Sequence, residues 1–202
     1  MGSASLLILL LTGGPDVPPP DPQASTQSTS PPPISGIDRV DWALRSTLGP
    51  ASLEIGVLSA SWDTAVNHPR EYGVTAEGWI KRYGLRLTGV ATSNVAEASL
   101  GVIWAEDPRY HRDPQLPFGK RFGRTMKMTF MSDRKGELIP AYARFIAIAG
   151  TNVLSDSWRP NGDRGPVNTI DRIGLGFGGR LLGNLYEEFW PDLKKHVFFL
   201  KH

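Results

Sequence analysis

Proline fixes φ near about −65° and carries no backbone N–H, so it ends helices and is kept out of central strands. Seventeen prolines therefore do much to decide where this 202-residue chain can fold. Eight of them, from Pro15 to Pro33, crowd residues 13–36, and between their two groups lies "QASTQSTS", with no bulky apolar side chain. Such a stretch cannot bury enough surface to offset the ordering of its backbone, and the sequence predicts a disordered Pro/Ser-rich tether there. The predicted folding unit is residues 37–202, one domain large enough to build a core without metal or disulfide staples. The chain has no cysteine, which removes disulfides and zinc–thiolate sites.

The other prolines punctuate segments of helical periodicity. "IDRVDWALRSTL" and "ASLEIGVLSASWDTAV" are two helical pieces separated at Gly49-Pro50. A long helix is expected from Thr75, in the capping sequence "TAEGW", to Ala105, ending at Pro108. Further helices are expected over 118–131, 140–158 and 167–190, the last able to continue past Pro191. Gly136 in "SDRKGE" suits a turn with positive φ, flanked at most by a short strand pair. No long alternating pattern occurs, so the fold class expected is all-α: a single bundle of about five helices with a disordered N-terminal tether.

Residues 1–12 contain Leu6–Leu11, an apolar run too short to span a bilayer and followed by small residues. It reads as a signal-peptide-like segment, although no basic residue precedes it, and predicts export to the periplasm or cell envelope.

Gly174, Gly176 and Gly179 in "GLGFGGR" match the dinucleotide fingerprint G-x-G-x-x-G. That turn needs a buried strand before it and another after it. Here "VNTIDRI" precedes and the helical "LLGNLYEEFW" follows. The stretch is therefore expected to be helix, with Gly174, Gly178, Gly179 and Gly183 admitting a close neighbour. Five glycines cost a helix about 4–5 kcal/mol in propensity relative to alanine. Tertiary contact should offset that, which predicts a central position and an acid, Glu97 or another, for Arg180.

Asn and acidic residues recur inside the apolar helices: Asn94 and Glu97, Asn152 and Asp156, and Asn184 with Glu187 and Glu188. They are candidates for a shared polar pocket, or else for ordinary helix-to-helix hydrogen bonds. Metal is not expected: Glu-x-x-His pairs and H-E-x-x-H are absent, and the four histidines do not pair. G-x-S-x-G is also absent. No cofactor and no reaction is legible, and the sequence leans away from an enzyme.

Net charge is only +2, so nucleic acid is not expected as a partner. Charge is nevertheless concentrated: Asp107 to Lys135 holds eight Lys/Arg against three Asp. Within it, Phe118, Phe122, Met126 and Phe130 fall at four-residue steps, with Lys120, Arg121, Arg124 and Lys127 elsewhere on the helix. The expected arrangement turns the phenylalanines inward and the basic residues outward. With Arg109 of "EDPRY", these basic residues are candidates for a surface that meets anionic lipid headgroups. Trp62, Trp104, Trp158 and Trp190 near helix ends resemble an interfacial belt. Glu97 and Arg180, however, would each cost about 2.5–3.5 kcal/mol at mid-membrane, so a peripheral contact is favoured over a spanning one.

Four segments carry a resemblance: "YGLRLTGVATSNVAEASLGVIWAEDPRYHR", "PFGKRFGR", "SDSWRP" and "EFWPDLKKHVF". Together they resemble a family of exported helical bacterial proteins over about residues 70–195. The resemblance implies one all-α domain in the envelope and brings no activity. The function expected is an exported, envelope-associated helical protein with a structural or interaction role, peripheral to the membrane or bound to another envelope component. The alternative is a small-ligand binder or hydrolase using the Asn/carboxylate pocket.

Overall fold

The computed structural model describes residues 34–199; the predicted signal-peptide-like segment (1–12) and most of the predicted tether lie outside them. Six α-helices and one hairpin follow in chain order: α1 (Gly36–Leu48), α2 (Pro50–Ala65), α3 (Ala76–Trp104), α4 (Phe118–Phe130), β1 (Met131–Arg134), β2 (Glu137–Pro140), α5 (Tyr142–Ser155) and α6 (Pro166–Phe199). The all-α bundle expected from the periodicity is what forms.

Local chemistry sets the boundaries. Ser35 and Asp38 form a reciprocal capping box, Asp38 N donating to Ser35 Oγ at 3.2 Å and Ser35 N to Asp38 Oδ2 at 3.0 Å. The tether therefore gives way to helix at Gly36, not after it. Gly49 ends α1, and Pro50 opens α2 at its first turn. Thr75 Oγ1 accepts from Gly78 N and caps α3. Lys135 and Gly136, both at positive φ, turn the hairpin, whose register pairs Ser132 with Ile139. Pro140 closes β2 instead of opening the next helix, so α5 starts two residues later than expected and ends at Ser155. The last helix does continue through Pro191. Beside it, the Glu188 carbonyl accepts from Arg121 Nη2 at 2.8 Å.

The centre of the bundle is α3, which packs against α1, α2 and α5; α6 lies against α4 and α5. This corrects the expectation of a central glycine helix. Side chains built at Gly174, Gly178, Gly179 or Gly183 would meet nothing within 4 Å. The close approach is at Gly176, where a Cβ would stand 2.8 Å from Ile148 Cγ2. Gly174→Ala and Gly183→Ala should each raise stability by about 0.5–1 kcal/mol. Gly176→Ala should gain nothing, because the added methyl strains Ile148. Urea midpoints of the three variants check this order.

The interior is more polar than apolar. Its fully or nearly buried apolar residues are mostly small: Ala43, Ala60, Ala98, Ala141, Ala143 and Ala147, with Trp42, Met128, Ile139 and Ile148. More polar and charged side chains than these are equally buried, among them Arg39, Arg82, Glu97, Arg144, Asn184 and Glu188. Large apolar residues stand outside. Along α1, Ile37, Val40, Leu44 and Leu48 form an exposed stripe while Arg39 and Thr47 face in. The same inversion holds on α3 (Val95, Val102, Ile103), α5 (Phe145, Ile146, Val153) and α6 (Ile170, Leu175, Leu182). No helix among the described residues is long and apolar enough to cross a membrane.

Candidate functional site: buried arginine–carboxylate clusters

A charge removed from water must be paired and hydrogen-bonded or it is strongly destabilising. Three clusters meet that requirement here, each joining different helices.

The central cluster is built on Glu97 of α3. Its Oε1 accepts from Arg144 Nε of α5 at 2.8 Å and from Arg180 Nη2 of α6 at 3.3 Å. Arg144 also donates from Nη1 to the carbonyls of Met128 (2.7 Å), Thr129 (3.0 Å) and Met131 (3.2 Å), satisfying the end of α4. Arg180 reaches the Pro108 carbonyl and lies over the Trp42 ring, 5.0 Å from its centroid. Arg39 closes the C-terminus of α3, donating to the carbonyls of Ala98, Gly101 and Glu106. The Glu106 carboxyl accepts from Ala143 N at the start of α5, and burial pushes its pKa up.

A second cluster joins the end of α5 to the start of α6. Asp156 pairs with Arg172 and accepts from Thr169 Oγ1 at 3.0 Å. Asp163 pairs with Arg159 and, at 3.3 Å, with Arg172.

The third joins α4 and the segment before it to α6. Glu188, fully buried, accepts from Arg121 Nε at 2.5 Å and Tyr110 Oη at 2.8 Å. Arg121 also bonds Asp192 at 2.6 Å, and Arg112 bonds the other oxygen of Asp192 at 3.1 Å. Burial, and then Glu188, push the Tyr110 phenol above its ordinary range.

"EDPRY" is the strap between these clusters. Asp107 Oδ2 accepts from Arg109 Nη2 at 2.6 Å, and His111 Nε2 stands 3.6 Å away, too long for a hydrogen bond. Burial pushes the Asp107 carboxyl up; His111 and Arg109 pull it down further, and the balance lies well below the usual carboxylate range. A depressed folded-state pKa contributes stability above the unfolded value, about 3.9, that is lost as pH falls through the folded value. Between pH 5 and pH 2.5 the urea midpoint should therefore fall less for Asp107→Asn than for the natural chain.

These positions re-sort the candidates. Glu97 and Asn184 are buried and Asp156 is half-buried, all in separate places. Asn184 Nδ2 meets Thr129 Oγ1 at 3.3 Å, Asn94 Nδ2 meets Thr47 Oγ1 at 3.0 Å, and Asn152 bonds the Ile148 carbonyl of its own helix. Glu187 is exposed, and Glu188 belongs to the third cluster. The seven do not converge on one pocket. A groove of about 660 Å³ does open between α1 and α3, lined by Val40, Leu44, Leu48, Leu87, Val95 and Val102, and none of the seven lines it. Among the described residues no group of three His, Asp or Glu is placed to hold a metal ion. Of the basic candidates, Arg109, Arg121 and Arg124 are turned toward protein partners, Arg124 donating to the His111 carbonyl at 3.0 Å. Lys120 and Lys127 are exposed. The helix 118–131 thus faces opposite to expectation: Phe118, Phe122, Met126 and Phe130 are exposed, while Thr125, Met128 and Thr129 are buried. Arg39, Arg144 and Arg172 were not singled out by the sequence. For Arg144 a signal existed, a lone charge beside the apolar run "FIAIAG".

Comparison with protein-family models, with curated proteins and with solved structures finds no match to this chain.

Proposed function

We propose that this chain is an exported, envelope-associated helical protein with a structural or interaction role, held peripherally at an apolar surface. The observation that supports this most is the inverted polarity of the bundle. Charges that a water-soluble helix displays are paired inside, and the stripes that such a helix buries face out on α1, α3, α5 and α6. Contiguous apolar exposure of this kind marks a contact with lipid or with another protein. The apolar Leu6–Leu11 run and the proline-rich stretch after it support export and tethering. The reading of a ligand binder or hydrolase draws no comparable support, since six of the seven polar candidates are already bonded, each to different partners, and the seventh is exposed.

The test is fractionation of cells making the full chain with a C-terminal tag, with protease added to intact spheroplasts. The expected result is tagged protein in the envelope fraction, digested from outside the inner membrane. Recovery as a protease-protected monomer in the cytosol overturns the proposal.

A further inference from the structure

The exposed face of α4 and the α6 turn beside it have a chemistry of their own. Phe118, Phe122, Met126 and Phe130 are 70%, 44%, 39% and 44% exposed, a row of four large apolar side chains along one flank. Lys120 and Lys127 are exposed seven residues apart, so they share the adjoining flank two turns from each other. The two helices are clamped together here: Phe118 meets Phe189 with centroids 5.1 Å apart, and Arg121 bonds Asp192 at 2.6 Å. One to three residues beyond Asp192 come Leu193, Lys194 and Lys195, all exposed.

The charges are sorted by depth. Three acids of this region, Glu188, Asp192 and Asp113, face Arg121, Arg112 and Arg124, which lie on the protein side, and a fourth, Glu187, is exposed two turns before Lys194. Lys120, Lys127, Lys194 and Lys195 form no ion pair among the described residues. The outward surface is therefore cationic beside an apolar row. A helix lying in a bilayer interface needs that combination: side chains that enter the acyl boundary, and lysines whose long stems let the ammonium reach headgroups.

We infer that α4 and the α6 turn at Leu193–Lys195 form a docking surface for an anionic lipid bilayer, with Phe122 and Met126 entering the acyl boundary and the four lysines meeting headgroups. This rests on the envelope reading and names the partner. Charge complementarity selects anionic lipid, since each lysine near such a surface strengthens binding by about fivefold. The interface also differs from the sequence expectation, because lysines and not arginines face the lipid and the phenylalanines face outward.

The chain has no cysteine, so Met126→Cys takes a single environment-sensitive dye cleanly. Purified full chain is titrated with vesicles of phosphatidylcholine alone and with 30% phosphatidylglycerol, at low and at 0.5 M salt. Expected are a blue shift and co-sedimentation with the anionic vesicles only, weakened by salt. Lys120→Gln/Lys127→Gln should bind about 25-fold more weakly, and Phe122→Ser/Met126→Ser should lose binding. Lys81→Gln on α3, an exposed lysine outside this surface, should bind as the natural chain does, and circular dichroism checks that every variant is folded. Absence of binding to anionic vesicles, equal binding to neutral ones, or as large a loss in Lys81→Gln as in the α4 lysine variant overturns the inference. A chain that remains in the envelope fraction yet fails these titrations keeps the envelope reading and loses this surface.

Discussion

Glu97→Leu should destabilise the chain by about 3–5 kcal/mol. The substitution removes the carboxylate that Arg144 and Arg180 share and leaves two guanidinium groups inside with no carboxylate in ion-pair contact. Arg144 is 2% exposed, so water cannot take over. It also cannot swing out without releasing the carbonyls of Met128, Thr129 and Met131 at the end of α4. Folded domains are stable by about 5–15 kcal/mol, so the loss is a large share of the total. Glu97→Gln keeps an acceptor oxygen and should recover part of it, which separates the missing charge from the missing hydrogen bond. Urea unfolding of the three chains measures the order. A Glu97→Leu midpoint within about 1 kcal/mol of the natural chain would mean that the cluster is wet and contributes little.

Helix periodicity made the elements legible, because apolar spacing and the prolines mark where helices start and stop whatever surrounds them. It made the orientation of those helices illegible. On α1 the stripe Ile37, Val40, Leu44 and Leu48 and the side that carries Arg39 are both visible in the sequence. The usual rule, apolar face inward, assigns them the wrong way round. The same rule inverted α4. Apolar spacing divides a helix into two faces but does not say which one meets the protein. That depends on what the other helices offer, here carboxylates and carbonyls.

The polar candidates show the complementary limit. Glu97 and Arg180 were legible as partners because each is a lone charge within an uncharged run, where ionisation without a partner is too costly. Arg39 and Arg121 were not, since each has other charges within two or three residues, and sequence spacing does not say which is turned inward. Gly174, Gly178, Gly179 and Gly183 suggested close packing, yet the contact falls on Gly176 alone. Glycine spacing says where a neighbour is sterically allowed and not that one is present.

Glu188→Leu should destabilise the chain by a similar amount, about 3–5 kcal/mol, but with a local signature. Glu188 lies on α6 and holds Tyr110 of the strap and Arg121 of α4 at once. Its loss leaves the Tyr110 hydroxyl without its acceptor and Arg121 with only Asp192 and a backbone carbonyl. Beside this pairing, the attachment of α4 to α6 rests on the ring contacts of Phe118 with Phe189 and of Phe130 with Phe177, and both α4 phenylalanines are still largely exposed, so the ion pair carries a large share of it. Amide hydrogen exchange should therefore accelerate in α4 and residues 108–117 well before it does in α3 and α5, whose contact runs through Glu97 and Arg144. Tyr110→Phe removes one hydrogen bond and no charge pair, and should cost about 1 kcal/mol. If Glu188→Leu instead raised exchange evenly through all six helices, α4 would not be a separately attached element. The clamp would then be one more tie in a single cooperative unit.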